Sequence, residues 1–196
     1  MEGFEISFDY STAQWVLSII VGVCLTKVYN AVAHHIRHRK EIVFYVPYLL
    51  LIGYTFFILI QLWFTSPYFY KIVEGNKLAF LSRIIIDSMA VIFTLLALPS
   101  EQMLSKSNLN LETIYQDSKK NWTVTILVWN FCLSIHLMTL QPDLFWVLFL
   151  LSGMVMMFVG VVWVLKFKNL YLHVAYQIWG ISGMVLLILL PFEHYL

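Results

Sequence analysis

The sequence predicts an all-α, polytopic integral membrane protein: a helical bundle of about six transmembrane helices with both termini on the outer side. Three observations carry this prediction. First, 61% of the 196 residues are hydrophobic and only 12% are charged, with a mean hydropathy of +0.80. A soluble domain carries roughly 25% charged residues, so this chain has too little polar surface to face water. Second, six apolar stretches approach or exceed the roughly 20 residues that a helix needs to cross a ~30 Å hydrocarbon core. Third, the basic residues gather in alternate connections, as the positive-inside rule requires. Helices are the required element, because lipid leaves no partner for an open backbone group.

The spans are placed near 12–33, 42–65, 78–99, 122–140, 143–165 and 171–191, and residues 1–196 read as a single transmembrane domain. Ser11 and Thr12 are suited to capping the first span. Within it, Ser18, Gly22 and Thr26 form a ladder of small residues of the kind that lets helices approach closely. Lys27, Asn30 and His34 share another face, with Lys27 near enough to the cytoplasmic interface to snorkel. Pro47 falls in the first turns of the second span, where a missing N–H costs least. Pro99 ends the third. The connection 100–120 carries Leu111, Ile114, Tyr115 and Ser118 at helical spacing behind Asn110, which predicts a short amphipathic helix lying on the cytoplasmic surface. Asn121 is the expected cap of the fourth span, and Gln141-Pro142-Asp143 the turn into the fifth. Gly153 and Gly160 punctuate the fifth span, Gly180 and Gly183 the sixth, and Pro191 ends the sixth.

Orientation follows from charge. The first connection reads His34-His35-Ile36-Arg37-His38-Arg39-Lys40-Glu41, the third holds Lys106, Lys119 and Lys120, and the fifth holds Lys166 and Lys168. The other side has Lys71 and Lys77 together with Glu2, Glu5 and Asp9. The first, third and fifth connections are therefore expected in the cytoplasm, and the plasma (inner) membrane is the expected location. The sequon Asn121-Trp122-Thr123 would invert this topology if it were glycosylated. It touches a predicted span and reads as a chance match.

The most specific signal lies in the third span. Asp87 falls within roughly 3 Å of its midplane at 1.5 Å per residue. Arg83 sits one turn toward the outside on the same face, where the two can pair. A charged residue at the bilayer centre costs on the order of 2.5–3.5 kcal/mol on insertion scales, so it usually faces a bundle interior or a wet cavity. Ala90, Thr94 and Ala97 continue the stripe. Asn130 in the fourth span is level with Asp87, and a hydrogen bond between them is expected. His136 is level with Arg83. In the sixth span His173 and Gln177 follow helical spacing on the cytoplasmic half.

Other chemistry is not indicated. Cys24 and Cys132 both lie in apolar runs and read as packing residues. His34, His35 and His38 cluster, but a zinc site needs three ligands and an open position, and His136 and His194 are expected on the other side. The segment His34, His35, Arg37, His38, Arg39 and Lys40 reads instead as a basic patch against anionic headgroups or a partner. Phosphate-binding loops, dinucleotide fingerprints and nucleophile elbows are missing. No cofactor, metal or catalytic residue is expected, and a net charge of +1 gives no reason to expect a nucleic-acid partner.

Three functional readings follow. The first is a homo-oligomeric channel or small transporter subunit with Arg83 and Asp87 on the path, joined by Thr94, Asn130, His136, His173 and Gln177. The second is a non-catalytic membrane subunit that recruits a cytoplasmic protein in a multi-component signalling or defence complex, through the basic segment and the 100–120 connection. The third is a membrane-embedded lipid-modifying enzyme using His173 and Gln177.

Overall fold

The computed structural model describes residues 10–73, 75–99, 110–140 and 144–189. They form six helices: α1 (Tyr10–Arg37), α2 (Val46–Ile72), α3 (Lys77–Ala97), α4 (Leu111–Leu140), α5 (Leu144–Lys166) and α6 (Leu170–Leu189). Among the described residues there are no strands, only an isolated parallel bridge between Val43 and Asn110. Five helices, α1 to α5, contain stretches long and apolar enough to cross a membrane. The fold is that of a helical membrane bundle.

Helix α2 is its hub. It packs against α1, α3, α4 and α6. In its most apolar stretch 56% of the residues are buried, against 22–39% in the other four spanning helices. A helix that is apolar on all sides belongs in the middle of a bundle. Tyr45 leads into α2 in an extended conformation, with Pro47 in the first turn as the sequence predicts. The helix begins and ends later than the predicted 42–65, and continues through Pro67 to Ile72. Pro67 cannot donate to the carbonyl one turn back, but packed neighbours and nearby polar groups let a membrane helix run through a proline. Gly75 then takes a left-handed φ of 86°, a conformation that glycine adopts without penalty. Asn76 Oδ1 accepts from the Ala79 N–H at 3.1 Å, capping α3. Helix α3 ends at Ala97, with Leu98 extended and Pro99 following.

Helix α4 corrects two expectations. Its cap is Asn110, whose Oδ1 accepts from the N–H groups of Glu112 at 3.0 Å and Thr113 at 3.4 Å. Asn121 lies inside the helix. The expected surface helix is the first two turns of α4 itself, coaxial with the span. Nothing between Ser118 and Trp122 breaks a helix, and the buried positions Leu111, Tyr115, Trp122, Ile126 and Trp129 continue across the join. Thirty residues make a rod of about 45 Å, so α4 outreaches the hydrocarbon core at one end. Its start is tied to the α1–α2 connection by the Leu111 N–H, which donates to the Val43 carbonyl at 3.2 Å.

The small-residue ladders serve different ends. Helix α1 is already helical at Tyr10, so Ser11 and Thr12 lie in its first turn rather than capping it. Its ladder looks outward: Gly22 and Thr26 are exposed, and a Cβ at Gly22 would meet nothing within 4 Å. Leu17, Val21, Cys24, Val28 and Ala31 form the buried face. Gly180 is a packing glycine, for an added Cβ would lie 2.9 Å from the Tyr54 ring. Gly160 does the same against Tyr176, at 2.7 Å. The Tyr176 hydroxyl in turn donates to Met157 Sδ at 3.0 Å, joining α6 to α5. The predicted features at 100–109, Gln141-Pro142-Asp143, Pro191 and His194 lie outside the described residues.

Candidate functional site

Asp87 is the eleventh of the 21 residues of α3, at the middle of the helix. The stripe of Arg83, Asp87, Ala90, Thr94 and Ala97 is buried along its whole length, together with Ile86 and Phe93 on its flank. Ile84, Ile85 and Ile92 are exposed on the opposite side. Arg83 Nη2 lies 2.9 Å from Asp87 Oδ1, and the two side chains are only 2% and 3% exposed. One turn of helix brings them together, as the i, i+4 spacing requires.

Neighbouring helices complete the cluster. Nη2 of Arg83 donates to Ser66 Oγ on α2 at 3.1 Å. The guanidinium also lies over the Phe69 ring, 4.4 Å from its centroid, a cation–π contact that gains in value when desolvated. The Tyr70 phenol, also on α2, is turned to the Asp87 carboxylate. From α4, His136 Nδ1 is 3.3 Å from Ser82 Oγ, and the ring lies within electrostatic reach of both Arg83 and Asp87. Three helices thus hold an arginine, a carboxylate, an imidazole, a phenol and two hydroxyls in one place.

The cluster keeps spare hydrogen-bonding capacity. Among the described residues, Arg83 Nε and Nη1, both Asp87 oxygens and His136 Nε2 are buried without a hydrogen-bond partner. The Arg83–Asp87 contact at 2.9 Å is a charge pair. A buried polar group left unpaired costs about 1–3 kcal/mol.

The remaining expected residues divide. Asn130 does not bond to Asp87. The contacts Ser82–His136 and Phe93–Trp122 fix the antiparallel register of α3 and α4, and that register does put Asn130 level with Asp87. Trp129 takes the inward position, however, 1% exposed, and leaves Asn130 half-buried one position round the helix. Thr94 spends its hydroxyl on its own helix, donating to the Ala90 carbonyl at 3.0 Å.

His173 and Gln177 lie apart from the Arg83 cluster, in a second one at the other end of the bundle. Both are fully enclosed. His173 Nε2 is 2.8 Å from the Phe167 carbonyl, and its ring centroid is 5.3 Å from that of Tyr115. Gln177 is turned to the Tyr115 hydroxyl. Tyr115 also packs on Trp122 with a centroid distance of 5.6 Å, and Trp122 on Phe93 at 6.3 Å. This aromatic series leads from the second cluster to the stripe of α3. Ser66, Phe69, Tyr70, Ser82 and Tyr115 are the contributors that sequence reasoning did not select for this role.

In the basic segment, His34 and His38 stack with centroids 4.5 Å apart, and His38 pairs with Glu41 at 3.5 Å. Arg37, Arg39 and Lys40 are exposed. Among the described residues, no group of three or more His, Cys, Asp or Glu side chains is placed to hold a metal ion.

No protein-family model matches this chain, and no curated protein or solved structure shows significant similarity to it. Fold and site define its class as an integral membrane helical bundle with a buried charge cluster.

Proposed function

We propose that this chain is a small transporter or channel subunit, assembled from copies of itself in the plasma membrane, in which an ion or polar solute passes the Arg83–Asp87 pair. One observation carries the reading: a fully buried charge pair at the middle of a membrane helix, ringed by polar groups from three helices. Intramembrane ionisable groups most often serve conduction, proton relay or substrate binding. The enclosure of the cluster favours a transporter caught closed over an open pore, whose lining stays wet. The second cluster, with His173, Gln177 and Tyr115, supplies polar groups toward the cytoplasmic end that the loop charges predict.

The outward-facing small residues of α1 support the oligomer. Gly22, Thr26 and Asn30 lie on the exposed surface of α1, and small residues of this kind let a second helix approach closely. The partner-recruiting reading gains less support. The apolar face of 111–118, proposed as a docking helix, is spent on the bundle itself. The enzyme reading gains little from a His173 that is enclosed and tied to a backbone carbonyl.

Flux into vesicles tests the proposal. Protein would be reconstituted in liposomes loaded with a pH-sensitive dye, and separately with dyes for potassium and chloride. Wild type is expected to carry at least one of these ions above protein-free vesicles. Asp87→Asn is expected to reduce that flux about tenfold, equivalent to about 1.4 kcal/mol on the barrier. Wild-type flux in a correctly inserted Asp87→Asn protein would remove Asp87 from the path.

A further inference from the structure

A pocket of about 320 Å³ opens between the end of α1 and the start of α2. Val32, Ile36, Leu49 and Ile52 contribute its apolar wall, and His35 and Arg39 its polar groups. It lies far from the Arg83 cluster along α2, near the opposite end of that helix. Its depth is informative. Val32 belongs to the apolar part of α1, whereas Arg39 lies seven residues on in the basic connection, about 10 Å along a helical path. The pocket thus joins the acyl region to the headgroup level of the cytoplasmic leaflet.

The polar groups are incomplete. His35 is 4% exposed. Its Nδ1 is bonded to the Ala31 carbonyl, an acceptor, so Nδ1 carries a proton. Nε2 is buried without a partner among the described residues. Arg39 is exposed and has no ion pair among the described residues. With Arg37 and Lys40 beside it, the rim is electropositive.

We propose that this pocket binds one anionic phospholipid. The phosphate sits against Arg39, and the glycerol and first acyl carbons follow the apolar wall past His35. The positive rim selects an anion, and an apolar wall at acyl depth selects one with a hydrocarbon tail. A free phosphate would use only the first, and a soluble peptide would not reach the second. The site is independent of the transport reading.

Native mass spectrometry of the protein in mild detergent tests it. The probes are phosphatidylglycerol, phosphatidic acid and phosphatidylcholine with identical chains. Phosphatidylglycerol and phosphatidic acid are each expected to be retained over phosphatidylcholine by about fivefold or more, the size expected for one basic residue at an anionic surface. Arg39→Gln should abolish the preference over phosphatidylcholine. Leu49→Trp, which fills the wall, should reduce the phosphatidylglycerol adduct. Lys40→Gln, adjacent but not part of the lining, should keep the preference. Glycerol phosphate without chains should not displace the lipid. Retained preference in Arg39→Gln would overturn the proposal, as would an equal loss in Lys40→Gln, which marks diffuse surface charge. Displacement by the chainless headgroup would overturn it as well.

Discussion

Arg83→Met and Asp87→Leu, made singly, are each expected to destabilise the bundle by about 3–5 kcal/mol, and made together to regain most of that loss. The pair is 2.9 Å apart and almost wholly enclosed. Removing one partner strands the other as an uncompensated charge away from water, which is the costly state. Removing both leaves no charge stranded, and buried ion pairs replaced in this way are often neutral or more stable. Ser66 and Phe69 soften the cost of a lone Arg83 slightly, since they already contact the guanidinium. Asp87 has only Tyr70 and the edge of His136 to turn to. Arg83→Met should therefore be the more damaging single change. Thermal loss of the monodisperse species in a fixed detergent would measure all three variants. Two harmless single variants would mean that the charges are solvated in the native state.

The same double variant, Arg83→Met with Asp87→Leu, is expected to insert and assemble normally and to carry no flux above protein-free vesicles. A structural pair and a functional pair make opposite predictions here. If the charges only fix packing, restored stability restores function. If they form the path, a stable bundle with an apolar plug is inert, because a charge at the bilayer centre without polar partners costs at least on the order of 2.5–3.5 kcal/mol, and each ~1.4 kcal/mol of barrier is a tenfold loss of rate. The comparison also removes the weakness of Asp87→Asn alone, in which lost flux can follow from lost fold. Wild-type flux in the stable double variant would assign the pair to structure.

Much of this architecture was legible because it is written within single helices. Helix number follows from runs of apolar residues, and the Arg83–Asp87 pair follows from a four-residue spacing inside α3. What was not legible depends on contacts between helices. Asn130 was placed at the correct level, but a rotation of one position gives the inward place to Trp129. Ser66, Phe69 and Tyr70 fell outside the predicted second span, because Ser66-Pro67 has the character of a helix end in water. In a packed membrane helix the chain runs on through Pro67 and delivers all three to Arg83. The start of α4 was misread for a related reason. Lys119-Lys120-Asn121 resembles a boundary in polarity, yet none of the three breaks a helix. Tyr115, taken for part of a surface helix, instead meets His173 and Gln177 inside the bundle.

Cysteine accessibility tests the central claim, that the Arg83–Asp87 cluster lies on an aqueous path, without requiring the solute to be known. Single cysteines would replace Ser66, Ser82 and the lipid-facing Ile85 in a protein whose Cys24 and Cys132 are alanine. Intact vesicles would then be treated with a charged, membrane-impermeant thiol reagent. The account predicts that Ser66→Cys and Ser82→Cys are modified from water as the closed state exchanges with an open one, while Ile85→Cys is not. Protection of both serine positions in folded protein, with full modification after denaturation, would contradict it and leave the pair as a dry structural bridge.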